Sequence, residues 1–146
     1  MRWSVVVLTL IPTLAFAAAG QEQRLCAAAI EDGALAAEVE LLASTGEYQL
    51  ASADQLLTLD CDGETLLTRM IETTQAENLE YAVIDMGANV NHPLIAQEGG
   101  KLTVVQYLIQ QAVVAPSVES REFAMDYMQE LRDVDFNPNL LSLSMN

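Results

Sequence analysis

Apolar positions recur along this chain at helical spacing, in short runs that glycine interrupts. The run "LCAAAI" gives one apolar face to a helix from about Gln21 to Ile30, and Asp32-Gly33 breaks it. Leu35, Val39 and Leu42 mark a second helix, over about Leu35–Ser44, which ends at Thr45-Gly46. Two short helices joined by a glycine turn make a helical hairpin. The stretch "EYQLASADQLLTLDCDGE" is less regular. In it Ser52 or Asp54 can cap a short helical turn through Leu56-Leu57, ahead of a polar turn at Asp62-Gly63. Thr65 reads as the N-cap of the helix "LLTRMIET". "ENLEYAVIDM" predicts the next helix, with Leu79, Val83 and Met86 on one face and Tyr81, Ala82 and Ile84 widening it. Pro93 suits the first turn of a further helix, "PLIAQE", because that turn needs no amide donor. Gly99-Gly100 ends it, and "KLTVVQYLIQQA" forms its companion. Beyond Pro116-Ser117, "VESREFAMDYMQELRD" predicts a strongly amphipathic helix with Phe123, Tyr127, Met128 and Leu131 on one side. The last segment, "VDFNPNLLSLSMN", is expected to return along the surface.

Short paired helices with glycine punctuation predict an all-α fold of stacked helical hairpins, a repeat array. One segment carries a closer resemblance. "DGETLL…NLEYAVIDMGANVN" resembles an ankyrin repeat: a tight Asp-x-x-Gly-x-Thr turn, a short inner helix, a longer outer helix with paired aliphatics, then a Gly-Ala-Asp/Asn-x-Asn loop. Gly63 and Thr65 match the turn and cap, Leu67 the inner-helix leucine, and Leu79, Val83 and Ile84 the outer-helix aliphatics. Gly87, Ala88 and Asn91 match the closing loop. There Gly87 can take the left-handed conformation that stops a helix, Ala88 can tuck beneath the next unit, and the Asn91 side chain can bond loop backbone. "PLIAQEGGKLTVVQYLIQQA" and "LCAAAIEDGALAAEVELLASTG" fit the same pattern more loosely, and "ELRDVDFNPN" is similar to an outer-helix end with its loop. Leu66 and Thr68 stand where the family has proline and histidine, and the spacing between units is uneven. The resemblance implies a degenerate ankyrin-like array over residues 20–146, with hairpins at about 21–46, 62–91, 92–115 and 117–139.

Composition agrees with helices: 51% of the 146 residues are apolar and only 5% aromatic, with Ala and Leu prominent, which disfavours a β-sandwich. The first 19 residues are set apart. "MRWSVVVLTLIPTLAFAAAG" has a positive charge at Arg2, an apolar run from Val5 to Leu14, and two small-x-small sites ending at Ala17 and Ala19, the pattern of an export signal. The run is short for a bilayer span and Pro12 interrupts it. In a bacterium, export implies the periplasm or the medium. In an oxidising compartment Cys26 and Cys61 are expected to form one structural disulfide, since neither a Cys-x-x-Cys pair nor a cysteine cluster is present. On the ankyrin resemblance, that bond ties the first inner helix to the turn opening the next repeat.

Twenty-one acidic residues against 6 basic ones give a net charge of −15, one unit more negative without Arg2. No Lys/Arg cluster is available to displace counterions, so nucleic acid and anionic membrane surfaces are excluded as partners after signal cleavage. A cationic protein suits this charge.

Catalytic chemistry finds little support. "TLDCDGETLLTR" imitates a calcium loop, but Thr58 takes its first place and Arg69 the twelfth, where a bidentate carboxylate is required. His92 is the only histidine and reads as a turn residue, standing where the ankyrin threonine would be. Carboxylate pairs such as Glu38 with Glu40, or Glu119 with Glu122, follow from composition. Gly99-Gly100-Lys101 lacks the strand and the hydroxyl of a phosphate loop. The expectation is therefore a non-enzyme with no cofactor and no metal: an exported protein-binding module. The ankyrin resemblance implies a concave face of turns and inner helices as its contact surface. The turn groups Asp62 and Glu64, with Arg69 on the inner helix, are the candidate contacts for a basic partner. The alternative is an acidic inhibitor or immunity protein that blocks one cationic enzyme.

Overall fold

The computed structural model describes residues 13–131. The chain is mostly helical, with packed helices and one disulfide. Helix α1 (Thr13–Ala28) pairs with α2 (Ala34–Thr45), and a short α3 (Ala53–Leu57) follows. Strands β1 (Asp60–Cys61) and β2 (Glu64–Thr65) lead into α4 (Leu66–Glu72). Helix α5 (Ala76–Glu80) runs on as a π-helical turn over Tyr81–Asp85. Strands β3 (Ile95–Gln97) and β4 (Gly100–Leu102) then lead into α6 (Val104–Val114), which packs along α7 (Val118–Glu130). Residues 1–12 of the expected export signal lie outside the described residues, as does the loop expected beyond Leu131, while 13–19 are the first turns of α1.

The all-α expectation is corrected by the two antiparallel hairpins. In the first, Asp60 faces Thr65 and Cys61 faces Glu64, and the two-residue loop is Asp62-Gly63 at φ 60° and 91°. Both values are left-handed, the requirement of the tight turn that matches strand twist and the reason Asp-Gly favours it. The second hairpin pairs Ile95 with Leu102 and Gln97 with Gly100. It replaces the helix expected at "PLIAQE": Pro93 precedes a strand, and Glu98-Gly99 is a hairpin loop rather than a helix end. The segment "KLTVVQYLIQQA" therefore has α7 as its helical companion, so the described parts of the hairpins placed at 92–115 and 117–139 share one helical pair, and 132–139 lie outside the described residues.

Each hairpin delivers a threonine to a helix start. Thr65 Oγ1 accepts from the Thr68 amide at 3.1 Å and opens α4. Thr103 Oγ1 accepts from the Gln106 amide, and the Gln106 side chain accepts from the Thr103 amide at 2.9 Å, a capping box opening α6. Ser52 caps α3, one of the two residues offered for that role. The apolar stripes converge on one core, with Leu25, Leu35, Leu42, Leu57, Leu67, Met70, Leu79 and Leu108 fully buried. Ile84 departs from expectation. It is exposed, because Leu79, Ala82 and Val83 already occupy the buried face and the next residue points away from it.

The first and second helical pairs are clamped by a reciprocal exchange. Asn78, 1% exposed in the first turn of α5, donates to the carbonyls of Ala28, Ala29 and Glu31 at 2.9–3.1 Å and accepts from the Leu35 amide at 3.0 Å. One amide thus satisfies the end of α1 and the start of α2. In return Asp32 Oδ1 accepts from the amides of Glu77 and Asn78, capping α5 from the other pair, since Gln75 supplies no side-chain cap. Gly33, at φ 80°, makes the turn, and a Cβ there would meet the Glu77 carboxylate at 2.6 Å.

Candidate partner-binding site

The residues Asp62, Glu64 and Arg69, neighbours in sequence, are brought together by the first hairpin. Arg69 lies one turn into α4, so its side chain reaches back along β1 and β2. Its Nη2 donates to the Cys61 carbonyl at 2.6 Å and stands 3.9 Å from Asp62 Oδ2, while Nε stands 3.6 Å from Glu64 Oε2. Asp60 Oδ1 accepts from the Gly63 amide at 2.8 Å and closes the turn from within. The base of the hairpin is held by the Leu66 amide on the Leu59 carbonyl at 2.9 Å.

Asp62, Glu64 and Arg69 together leave one surplus negative charge, and the exposed Asp60 of the same turn adds a second. The Asp62 side chain is 94% exposed, Glu64 50% and Arg69 22%. Pairs so long and so wet contribute little stability. Arg69 is therefore committed to holding the hairpin, and the outward-facing groups are the two carboxylates. The second hairpin, by contrast, exposes Glu98 together with Lys101.

Cys61, beneath the turn, forms the disulfide with Cys26 of α1. Both cysteines are buried, and the bond joins α1 to β1. Of the loop residues singled out in the sequence, Gly87 sits at φ 70° and Ala88 is buried. The side chain that accepts from the Asn91 amide belongs to Asn89, at 3.0 Å. His92 is an exposed turn residue whose Nδ1 lies 2.7 Å from Asp54 Oδ2, tying the linker after the π-helical turn to the start of α3.

Other polar chemistry is structural. Tyr107 donates to Glu72 at 2.8 Å, joining α6 to the end of α4. Burial, then the bonded Glu72 carboxylate and Glu64, hold its phenol well above the ordinary range. Tyr127 is raised by burial first, then by Glu130, Glu80 and Asp85, and its hydroxyl has no hydrogen-bond partner among the described residues. Among the described residues no group of three or more His, Cys, Asp or Glu side chains is placed to hold a metal ion. A shallow apolar depression with room for only about 20 Å³, lined by Leu25, Val39, Leu42, Ala43, Tyr48 and Leu50, is far smaller than the roughly 300–1,000 Å³ of typical small-ligand sites.

The reading of the sequence missed Asn78 and Asp32, which set the platform behind the hairpin. The available clue was a lone Asn on the apolar stripe of "ENLEY", where a core-facing position calls for an aliphatic. The chain matches no family model, no curated protein and no solved structure.

Proposed function

We propose that this is an exported, non-catalytic binding protein built on ankyrin-like repeats, and that its first hairpin presents Asp62 and Glu64 to a basic segment of another protein. The observation that carries the reading is the recurrent unit of β-hairpin, threonine cap and paired helices, met at Asp60–Asp85 and again at Ile95–Glu130. In the first of these units several residues quoted for the resemblance support the reading, Ile84 excepted. Thr65 caps, Leu67, Leu79 and Val83 are buried, and Gly63 and Gly87 are left-handed. In the second the cap is Thr103, so the repeat is counted from that residue and not from Pro93.

Support for a basic partner comes from charge and exposure. The hairpin tip puts two carboxylates into solvent, while its one cation is turned inward onto a carbonyl. Such an arrangement attracts cationic surfaces and speeds encounter at low salt. Export is supported by the signal-like first segment and by the disulfide, which an oxidising compartment sustains. No helix among the described residues is long and apolar enough to cross a membrane.

The test is in-cell crosslinking of the tagged chain, exported by its own leader, followed by capture and mass spectrometry. One abundant partner, lost on D62S/E64S replacement, is the expected result. No partner above a control carrying only the leader overturns the reading. A single tight complex with steep salt dependence identifies the inhibitor or immunity class, while several weaker ones identify a general scaffold.

A further inference from the structure

We propose that the Cys26–Cys61 disulfide is a redox latch on the acidic hairpin. Oxidised, it fixes the turn that carries Asp62 and Glu64; reduced, it releases that turn while the remaining helical pairs stay folded. The importance of the turn rests on the binding function proposed above, but the latch itself does not.

The hairpin is only two residue pairs long, and hairpins of that size do not hold by themselves in water. Its Leu66–Leu59 and Gly63–Asp60 hydrogen bonds lie within the hairpin, and the supports that tie it to the rest of the fold converge on Cys61. The disulfide anchors that residue to α1, and the Arg69 guanidinium grips its carbonyl. The flanking ion pairs at 3.6 and 3.9 Å are too long and too solvated to replace the anchor. Two clamps therefore join the first helical pair to the second. One lies in the helix layer, where Asn78 and Asp32 exchange hydrogen bonds; the other lies in the hairpin layer and is the disulfide. Reduction removes only the second. Beyond them, the β3–β4 unit contains no cysteine, and its capping box, its α6–α7 packing and the Tyr107–Glu72 bond are independent of the bond.

The chemistry is thiol–disulfide exchange. The Cys26 and Cys61 thiols give up two protons and two electrons to an incoming disulfide, such as oxidised glutathione. That molecule leaves as two thiols after a mixed-disulfide step, and a dithiol reductant reverses the sequence. Because both cysteines are buried in the finished fold, the latch is set while the chain folds. In a reducing compartment the hairpin stays unset, and oxidation after export prepares the binding turn.

Hydrogen exchange read by mass spectrometry tests this. The wild-type chain is refolded once with oxidised glutathione and once in dithiothreitol, beside a C26S/C61S variant. In the dithiothreitol sample and in the variant, amides of residues 60–66 are expected to exchange roughly tenfold faster or more, while those of α5, α6 and α7 keep their protection. Oxidised glutathione then restores the reduced wild type and leaves the variant unchanged. Unaltered protection of the hairpin overturns the proposal. So does loss of protection in the hairpin and α5–α7 together, which makes the bond a support of the whole fold. No partner is present in either sample, so a failed latch and a failed binding site give separate results.

Discussion

At the scale of single residues the most consequential side chain is Asn78. It makes four hydrogen bonds in a dry position, and truncation leaves three carbonyls and one amide to be satisfied afresh. Asn78→Ala is expected to cost about 2–4 kcal/mol, read by chemical denaturation, with each stranded buried group costing about 1–3 kcal/mol before relaxation. Asp32→Ala removes only a cap and is expected to cost about 1 kcal/mol. Thr74 offers the opposite case. It ends α4 at φ 58°, where the Thr74 and Gln75 amides bond back to Ile71 and Met70. A β-branched side chain is strained there, so Thr74→Gly is expected to stabilise the fold by about 1 kcal/mol. The phenols of Tyr107 and Tyr127 add a pH dependence. Both are raised above 10.0, chiefly by burial, so they hold their protons more tightly folded than unfolded. Their contribution is complete below that value and is lost as pH climbs through it and beyond. Denaturation midpoints should therefore feel these two groups only as pH rises past about 10, and a Y107F/Y127F variant should flatten the fall above that value. At neutral pH Tyr127→Phe alone should be neutral or slightly stabilising, because the hydroxyl it deletes is buried without a partner among the described residues.

At the scale of elements, local chemistry reports some features well and others poorly. Helices α2, α4 and α7 are legible because their apolar residues fall at helical spacing, with Gly46 ending α2, Thr65 capping α4 and Ser117 capping α7. The β-hairpins were not legible, since two- and three-residue strands are too short to show alternation. Asp-Gly was nevertheless a hairpin turn in plain view, and Gly99-Gly100 misled because a glycine pair ends a helix as readily as it turns a strand. Pro93 misled for a similar reason, being as compatible with the residue before an edge strand as with a first helical turn. The cap that the helical reading of 93–98 obscured is Thr103. Thr103→Ala breaks a buried capping box and is expected to cost about 1–2 kcal/mol in equilibrium unfolding. At the candidate site, Asp62, Glu64 and Arg69 were legible as neighbours of one turn, whereas the inward commitment of Arg69 to a carbonyl needed coordinates. Asn78 and Asp32 were not legible because their partners lie 43 to 50 residues away.

For the whole molecule, a short array has little redundancy, and the disulfide matters in proportion. It bridges residues 35 apart in sequence and ties the first hairpin to α1. The acidic surplus acts at the same scale. It disfavours the compact state by self-repulsion and gives the molecule a long-range attraction for cations. The central claim is that the first hairpin is the surface another protein touches. Its most direct measurement is site-specific photocrosslinking in the export compartment, with the reactive residue placed at position 62 in one strain and at position 119, on the exposed start of α7, in another. A single abundant adduct at position 62, absent at 119 and weakened by added salt, is the expected result. Adducts at 119 and none at 62 contradict the account, and place the binding surface on the last helical pair.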